Sequence, residues 1–254
     1  MATLAELEVV PVLQAAGWGL GAGSALVLGA LVAWFVAVPQ KVVAGIMAFG
    51  AGVLVSALAF DLVGEAEQQG GLLATSVGFG GGTLAYVGAN LALARYGARH
   101  RKRSGSQQAA AGGGGAAIAV GALLDGIPES VVLGTSLIGG GGVGVAVLVA
   151  VFLSNVPEGL SSAAGMRKAG RSAGYVFGVW TAIAMASGVA AALGFALLDG
   201  ADPAVLAAIT AVAAGAILAM LADTMIPEAF EEGGQWAGLL TCLGFLTAFA
   251  VSRA

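Results

Sequence analysis

The chain predicts an all-α membrane fold with eight crossings, and three observations lead there. Of its 254 residues, 59% are hydrophobic and only 9% are charged, whereas a soluble domain carries about 25% charged residues. Its apolar stretches recur near the ~20 residues that a helix needs to span the hydrocarbon. Its few basic residues fall between alternate stretches. With 43 glycines, the helices are expected to approach closely, because small residues govern packing where lipid is as apolar as leucine.

In chain order the crossings are expected over 17–38, 42–64, 71–95, 115–138, 142–165, 172–198, 203–226 and 235–252. The first sixteen residues hold Glu6 and Glu8 and no basic residue, the wrong charge for a cleaved secretory leader. They are read as the mature N-terminus. The glycine run 139–142 separates the fourth and fifth crossings, since one uninterrupted helix there would be far too long to span once. Segment 96–114 is basic, then rich in Ser, Gln and Ala, then in glycine, the composition of a flexible loop.

Orientation follows from charge. Lys41, then Arg95, Arg99, Arg101, Lys102 and Arg103, then Arg167, Lys168 and Arg171 all fall on one side of an eight-helix topology, and Arg253 alone falls on the other. The positive-inside rule makes the basic side cytoplasmic and puts both termini outside. The whole chain, 1–254, is then one transmembrane domain with a cytoplasmic loop at 96–114. Trp18, Trp34, Trp180, Trp236 and Tyr175 are read as interfacial anchors near helix ends, and Met47, Met185, Met220 and Met225 as packing residues. His100 is the single histidine, read as a solvated loop residue, and Cys242 is the single cysteine. Neither a disulfide framework nor a Cys-based zinc site is available within one chain. No nucleophile–base pair suggests an enzyme, and no feature suggests nucleic acid as a partner.

The informative segments are Leu124-Asp125-Gly126-Ile127-Pro128-Glu129-Ser130 and Ser154-Asn155-Val156-Pro157-Glu158-Gly159. Each sets a proline and then a carboxylate inside an apolar run. An ionised side chain at membrane depth costs about 2.5–3.5 kcal/mol on insertion scales, and neither run contains Lys, Arg or His. Asp125 and Glu129 stand four apart, on one helical face. Pro128 and Pro157 lack N–H groups and are expected to kink their helices, freeing the carbonyls of Leu124 and Leu153. Carriers place ion sites at such interruptions. Three carboxylates, two carbonyls, the Asn155 amide oxygen and the hydroxyls of Ser130 and Ser154 make an oxygen-rich cage suited to a divalent cation. The alternative is that the carboxylates are protonated and hydrogen-bonded between helices as structural glue.

These residues resemble the metal-binding helices of the ZIP (Zrt/Irt-like protein) transporters, whose fourth and fifth helices carry patterns of the type His-Asn-x-Pro-Glu-Gly. Residues 154–159 keep four of the five defined positions, Asn155, Pro157, Glu158 and Gly159, and residues 125–130 keep the proline and the glutamate. Further likeness lies in Ala51-Gly52-Val53-Leu54, in Ser187-Gly188-Val189-Ala190-Ala191-Ala192-Leu193-Gly194 and in Met225-Ile226-Pro227-Glu228-Ala229. The sequence departs from the family at Asp125, Gly126 and Ser154, and at Ala191 and Leu54, where relatives hold a second-metal glutamate and a sulfur ligand.

The resemblance implies a 3+2+3 helix arrangement, a homodimer in the cell membrane, and alternating-access movement of metal toward the cytoplasm. It leaves Asp125, Glu129, Asn155 and Glu158 as metal ligands, with Ser154 as an additional one. Zinc comes first by resemblance, while the all-oxygen donor set favours harder ions such as manganese, with ferrous iron also in the family's range. The metal is substrate, and no organic cofactor is implied. Asp61 is expected at the outer entrance and Asp223 and Glu228 at the inner exit, where acidic residues concentrate cations. Two other readings remain at this level: a membrane metal sensor or scaffold, and a proton-linked carrier of another solute.

Overall fold

Lipid offers backbone groups no hydrogen-bond partners, so long runs of Ala, Leu, Val and Gly have only the helix open to them. In a computed structural model, which describes residues 4–95, 115–138 and 145–253, the protein is accordingly all α-helical among the described residues. The helices are α1 (Leu4–Phe35), α2 (Gln40–Ala57), α3 (Gly64–Arg95), α4 (Gly115–Thr135), α5 (Val145–Lys168), α6 (Ala173–Leu198), α7 (Pro203–Met220), α8 (Ile226–Gly233) and α9 (Trp236–Val251). Among the described residues five helical runs are long and apolar enough to cross a membrane, namely Val10–Phe35, Gln40–Arg95, Val147–Lys168, Ala173–Leu198 and Pro203–Gly233. This is the fold of a multi-pass membrane protein.

Two helix joints depart from the expected boundaries. A π-helical segment, Leu58–Val63, carries α2 into α3, and a second, Leu221–Met225, carries α7 into α8. The helix begun at Gln40 therefore runs on past residue 64 and breaks at Gly71, whose φ of 74° and ψ of 169° only glycine adopts readily. The helix begun at Pro203 likewise continues to Gly233 and turns at Gly234, with φ 58° and ψ −138°. The first helix starts at Leu4 rather than 17, because a helix continues into the interface as long as its own hydrogen bonds persist. Neither proline ends its helix, since α4 contains Pro128 and α5 contains Pro157. The expected 96–114 loop, with His100, and the 139–142 turn lie outside the described residues.

The two joints expose a duplication. Glu65-Ala66-Glu67-Gln68-Gln69-Gly70-Gly71 and Glu228-Ala229-Phe230-Glu231-Glu232-Gly233-Gly234 share the pattern Glu-Ala-x-x-x-Gly-Gly, each following a π-helical segment. Packing repeats at nearly the same interval, 163 residues from α2 to α7, as between the two motifs, and 162 from α3 to α9. A Cβ on Gly52 would collide with the Thr241 carbonyl, and one on Gly244 with that of Phe49; reciprocally, one on Gly215 would collide with the Phe79 carbonyl and one on Gly82 with that of Val212. Thus α2 sits on α9 as α7 sits on α3. The pair α1–α5 matches α6–α4 in the same way, through Gly29 and Gly159 against Val156 and Leu26, and Gly134 and Gly194 against Ala191 and Val131. The chain is two related halves, with α4 and α5 as counterparts.

Local chemistry fixes the ends. Ser172 accepts from the Tyr175 N–H at 3.3 Å to start α6, and Asp202 accepts from the Ala204 N–H at 2.8 Å to start α7, with Pro203 at the first helical position. Arg167, at the end of α5, donates to the carbonyls of Trp34 (2.6 Å) and Ala33 (3.2 Å) and lies 5.7 Å from the Trp34 ring centroid. It therefore satisfies carbonyls at the end of α1. Arg167→Ala is expected to lower stability by about 1–2 kcal/mol, read as a fall in the thermal midpoint in detergent. Met47, Met220 and Met225 are core residues, whereas Met185 is exposed. Trp180 is fully buried and is not an interfacial anchor, because a helix end near the surface still turns one face to the bundle.

Candidate metal pathway

Positions 125, 129, 154, 155 and 158 lie on α4 and α5, and all five are buried: Asp125 is 2% exposed, Glu129 3%, Ser154 1%, Asn155 5% and Glu158 8%. Helical spacing aligns Asp125 with Glu129, and Ser154 and Asn155 with Glu158, along inward stripes. Every described Lys and Arg is at least partly exposed and lies at a helix end or in a loop. The acidic groups are thus buried in a region that holds no buried basic side chain among the described residues.

The polar groups differ in how they are held. Asn155 donates its Nδ2 to the Ala22 carbonyl at 3.0 Å, which orients its Oδ1 as the acceptor end of the side chain. Asn155→Ala is expected to cost about 1 kcal/mol of stability, whereas Asn155→Asp places a carboxylate against that carbonyl and is expected to cost more; thermal unfolding orders the two. Ser130 and Ser154 donate to carbonyls of their own helices, Gly126 at 2.7 Å and Val151 at 2.9 Å. Their oxygens keep acceptor capacity after these bonds.

Glu129 faces a small apolar cavity between α2, α4, α5 and α7, lined also by Leu54, Leu58, Val151 and Ile217. Its free space, about 10 Å³, is at the lower limit for one water molecule. Above it opens a vestibule of about 520 Å³ lined by Asp61, Glu65, Gln68, Thr135, Ser136 and Ser252, among others. Leu62, Val132 and Val147 border both spaces. They form the apolar layer between the vestibule and Glu129.

Asp61, expected at the entrance, lines this vestibule from the first π-helical segment. Asp223 lies on the second, exposed, and accepts from Asn90 Nδ2 at 3.0 Å. Glu228, expected at the exit, is buried at 5% exposure and accepts from Ser161 Oγ at 2.6 Å. Ser161 was not among the expected site residues; its place one turn beyond Glu158 on the same face is the signal that points to it. The π-helical segments were likewise unforeseen, although such segments concentrate at functional sites.

The structure does not draw the donors into one knot. Among the described residues no group of three or more His, Cys, Asp or Glu side chains could hold a metal ion. The helices explain this: α4 packs mainly on α6 and α7, α5 on α1 and α2, and the two touch each other only slightly. Leu54, where the sequence resemblance led to a comparison with a sulfur ligand, lines the Glu129 cavity with hydrocarbon. Ala191, where the sequence resemblance led to a comparison with a second-metal glutamate, is wholly buried against α1, where its methyl would meet a Cβ on Gly19 at 2.7 Å.

No family model and no curated protein matches the chain.

Proposed function

We propose that the protein is a membrane carrier that moves divalent metal cations toward the cytoplasm by alternating access, as its likeness to the ZIP transporters implies. Zinc is the first substrate by that likeness, with manganese and ferrous iron next by the oxygen donors. One observation carries the reading. Asp125, Glu129 and Glu158 are each more than nine-tenths buried, on helices within a stretch, from Ser104 to Met166, that contains no Lys, Arg or His. Burying negative charge in an apolar bundle requires a compensating cation or protonation, and Asn155 and Ser154 add the neutral oxygens that a metal ligand set uses.

In this reading the five long apolar runs resolve into eight crossings, because Gly71 divides the 56-residue Gln40–Arg95 run and α4 and α9 supply two more. Both termini face outward, and the basic residues mark the cytoplasmic side. A cation collects in the vestibule beside Asp61, passes the Leu62–Val132–Val147 layer and loses water to Glu129. Asp125, Asn155, Glu158 and Ser154 complete its shell as α4 and α5 shift. It leaves past Glu228 and Asp223. The carrier works as a homodimer in the cell membrane.

A second reading, proton-linked movement of another solute, draws support from the separation of the donors, since carboxylates that do not converge are free to act as a proton relay. Uptake into proteoliposomes across Zn²⁺, Mn²⁺, Fe²⁺, Mg²⁺ and Cd²⁺ distinguishes the two. Saturable accumulation of at least one cation is expected. If none accumulates while an imposed pH gradient collapses, the metal reading is wrong.

A further inference from the structure

The duplication relates not only the packing of the two halves but also two Glu–Ser pairs at their ends. The interval that separates Gly52 from Gly215 also separates Glu65 from Glu228 and Gly71 from Gly234, and the interval between Gly134 and Gly159 also separates Ser136 from Ser161. Glu228 and Ser161 are therefore the counterparts of Glu65 and Ser136. Their states differ. Ser161 Oγ donates to Glu228 Oε1 at 2.6 Å, and both residues are buried. Glu65 is exposed and accepts instead from Gln69 Nε2 at 2.8 Å, while Ser136 Oγ donates to the Leu133 carbonyl of its own helix at 2.9 Å. Glu65 and Ser136 both line the open vestibule. The structure thus has one pair joined and its counterpart parted, at opposite ends of the bundle.

We propose that the two pairs are alternating latches: Ser161–Glu228 holds the inner mouth shut while the vestibule is open, and Ser136–Glu65 joins to shut the vestibule when the inner pair parts. Two halves of opposed topology around a central site interconvert by exchanging their conformations, so a bond made in one half predicts its counterpart in the other state. Glu228 is also where a cation on its way out would arrive. A metal ligated by that carboxylate displaces the hydroxyl proton donor and releases α5 from α8, which links arrival of cargo to opening of the exit. The inference rests on the proposed carrier function, and it names residues of this chain as positioning groups, not as ligands of the central site.

The test uses the full chain with Cys242→Ser, reconstituted in liposomes, and a short bifunctional thiol reagent, ethanediyl bismethanethiosulfonate. One variant carries Ser161→Cys with Glu228→Cys, a second Glu65→Cys with Ser136→Cys, and a third all four. Both pairs are expected to cross-link when present alone, and prior linkage of the inner pair is expected to slow linkage of the outer pair at least about tenfold. Ser161→Ala placed with the outer cysteine pair removes the inner hydrogen bond without touching Glu228. Because a buried side-chain hydrogen bond of this length contributes measurably to holding two helices together, outer linkage should then become about tenfold faster. An outer pair that never links, or that links at the same rate whether the inner pair is locked, intact or removed, overturns the proposal. These readouts need no cation. Mutually exclusive linkage without cation uptake leaves the latches standing and the transport reading refuted; uptake with independent linkage does the reverse.

Discussion

Replacing Glu129 and Glu158 together by alanine abolishes cation uptake, by a factor above about 100, while the protein still folds. The magnitude follows from what the two groups do in the proposed cycle. Loss of a residue that merely orients a metal ligand costs about 10–100-fold in affinity or activity, and here two ligands on separate helices go at once. The effect on stability has the opposite sign. Burial of a carboxylate carries a desolvation cost that its polar contacts only offset, and Glu129 packs against Leu54, Leu58, Val151 and Ile217. Its removal leaves the thermal midpoint unchanged or raises it. Uptake in proteoliposomes and unfolding in detergent are measured on the same preparation. Loss of uptake accompanied by loss of fold would mean that the carboxylates are structural glue; uptake retained by the folded double variant would mean that the site is elsewhere.

Adding one methyl group at Gly52 unfolds or severely destabilises the protein, at a cost above about 3 kcal/mol. A Cβ there meets not a side chain that can rotate away but the Thr241 carbonyl and, at 2.8 Å, the Phe245 nitrogen. Backbone of α9 would have to move, and overpacking already costs about 1–3 kcal/mol where side chains alone must shift. The related half predicts the same for Gly215→Ala, which meets Phe79 backbone on α3, where Thr83 Oγ1 donates to the Gly215 carbonyl at 3.2 Å. Gly80→Ala on α3 is the control. Nothing lies within 4 Å of that Cβ, so it should be neutral or stabilise by about 0.5–1 kcal/mol through helix propensity. Thermal midpoints of the three variants rank Gly80→Ala above wild type or level with it, and both others far below.

The membrane class, the helices and the burial of Asp125, Glu129, Asn155 and Glu158 are legible in the sequence because all depend on one property, the length and purity of apolar runs. A carboxylate in the middle of such a run has nowhere polar to go. Helix ends are harder to read. Glu6 and Glu8 look like the end of a span, yet α1 continues through them, and Glu65 to Gln69 look like a loop, yet the helix runs on. Hydropathy reports where the lipid stops, not where the hydrogen bonds do. The π-helical segments around Asp61 and Asp223 leave no mark on hydropathy, since one extra residue in a turn changes no composition. The Ser161–Glu228 bond joins residues far apart in the chain, and a serine in a small-residue helix is ordinary until its partner is known. The duplication escapes notice because the halves share little beyond a Glu-Ala-x-x-x-Gly-Gly pattern and scattered glycines, which carry meaning only once their contacts pair up.

Anomalous diffraction from crystals grown with Zn²⁺, and separately with Mn²⁺, tests most directly whether the buried carboxylates exist to hold a cation. The account predicts a dominant peak between α4 and α5, about 2.0–2.2 Å from carboxylate oxygens of Glu129 or Glu158 for zinc, with Asp125 and Asn155 drawn toward it. Peaks confined to exposed acidic residues such as Asp223, with nothing between the two helices at saturating metal, would contradict it.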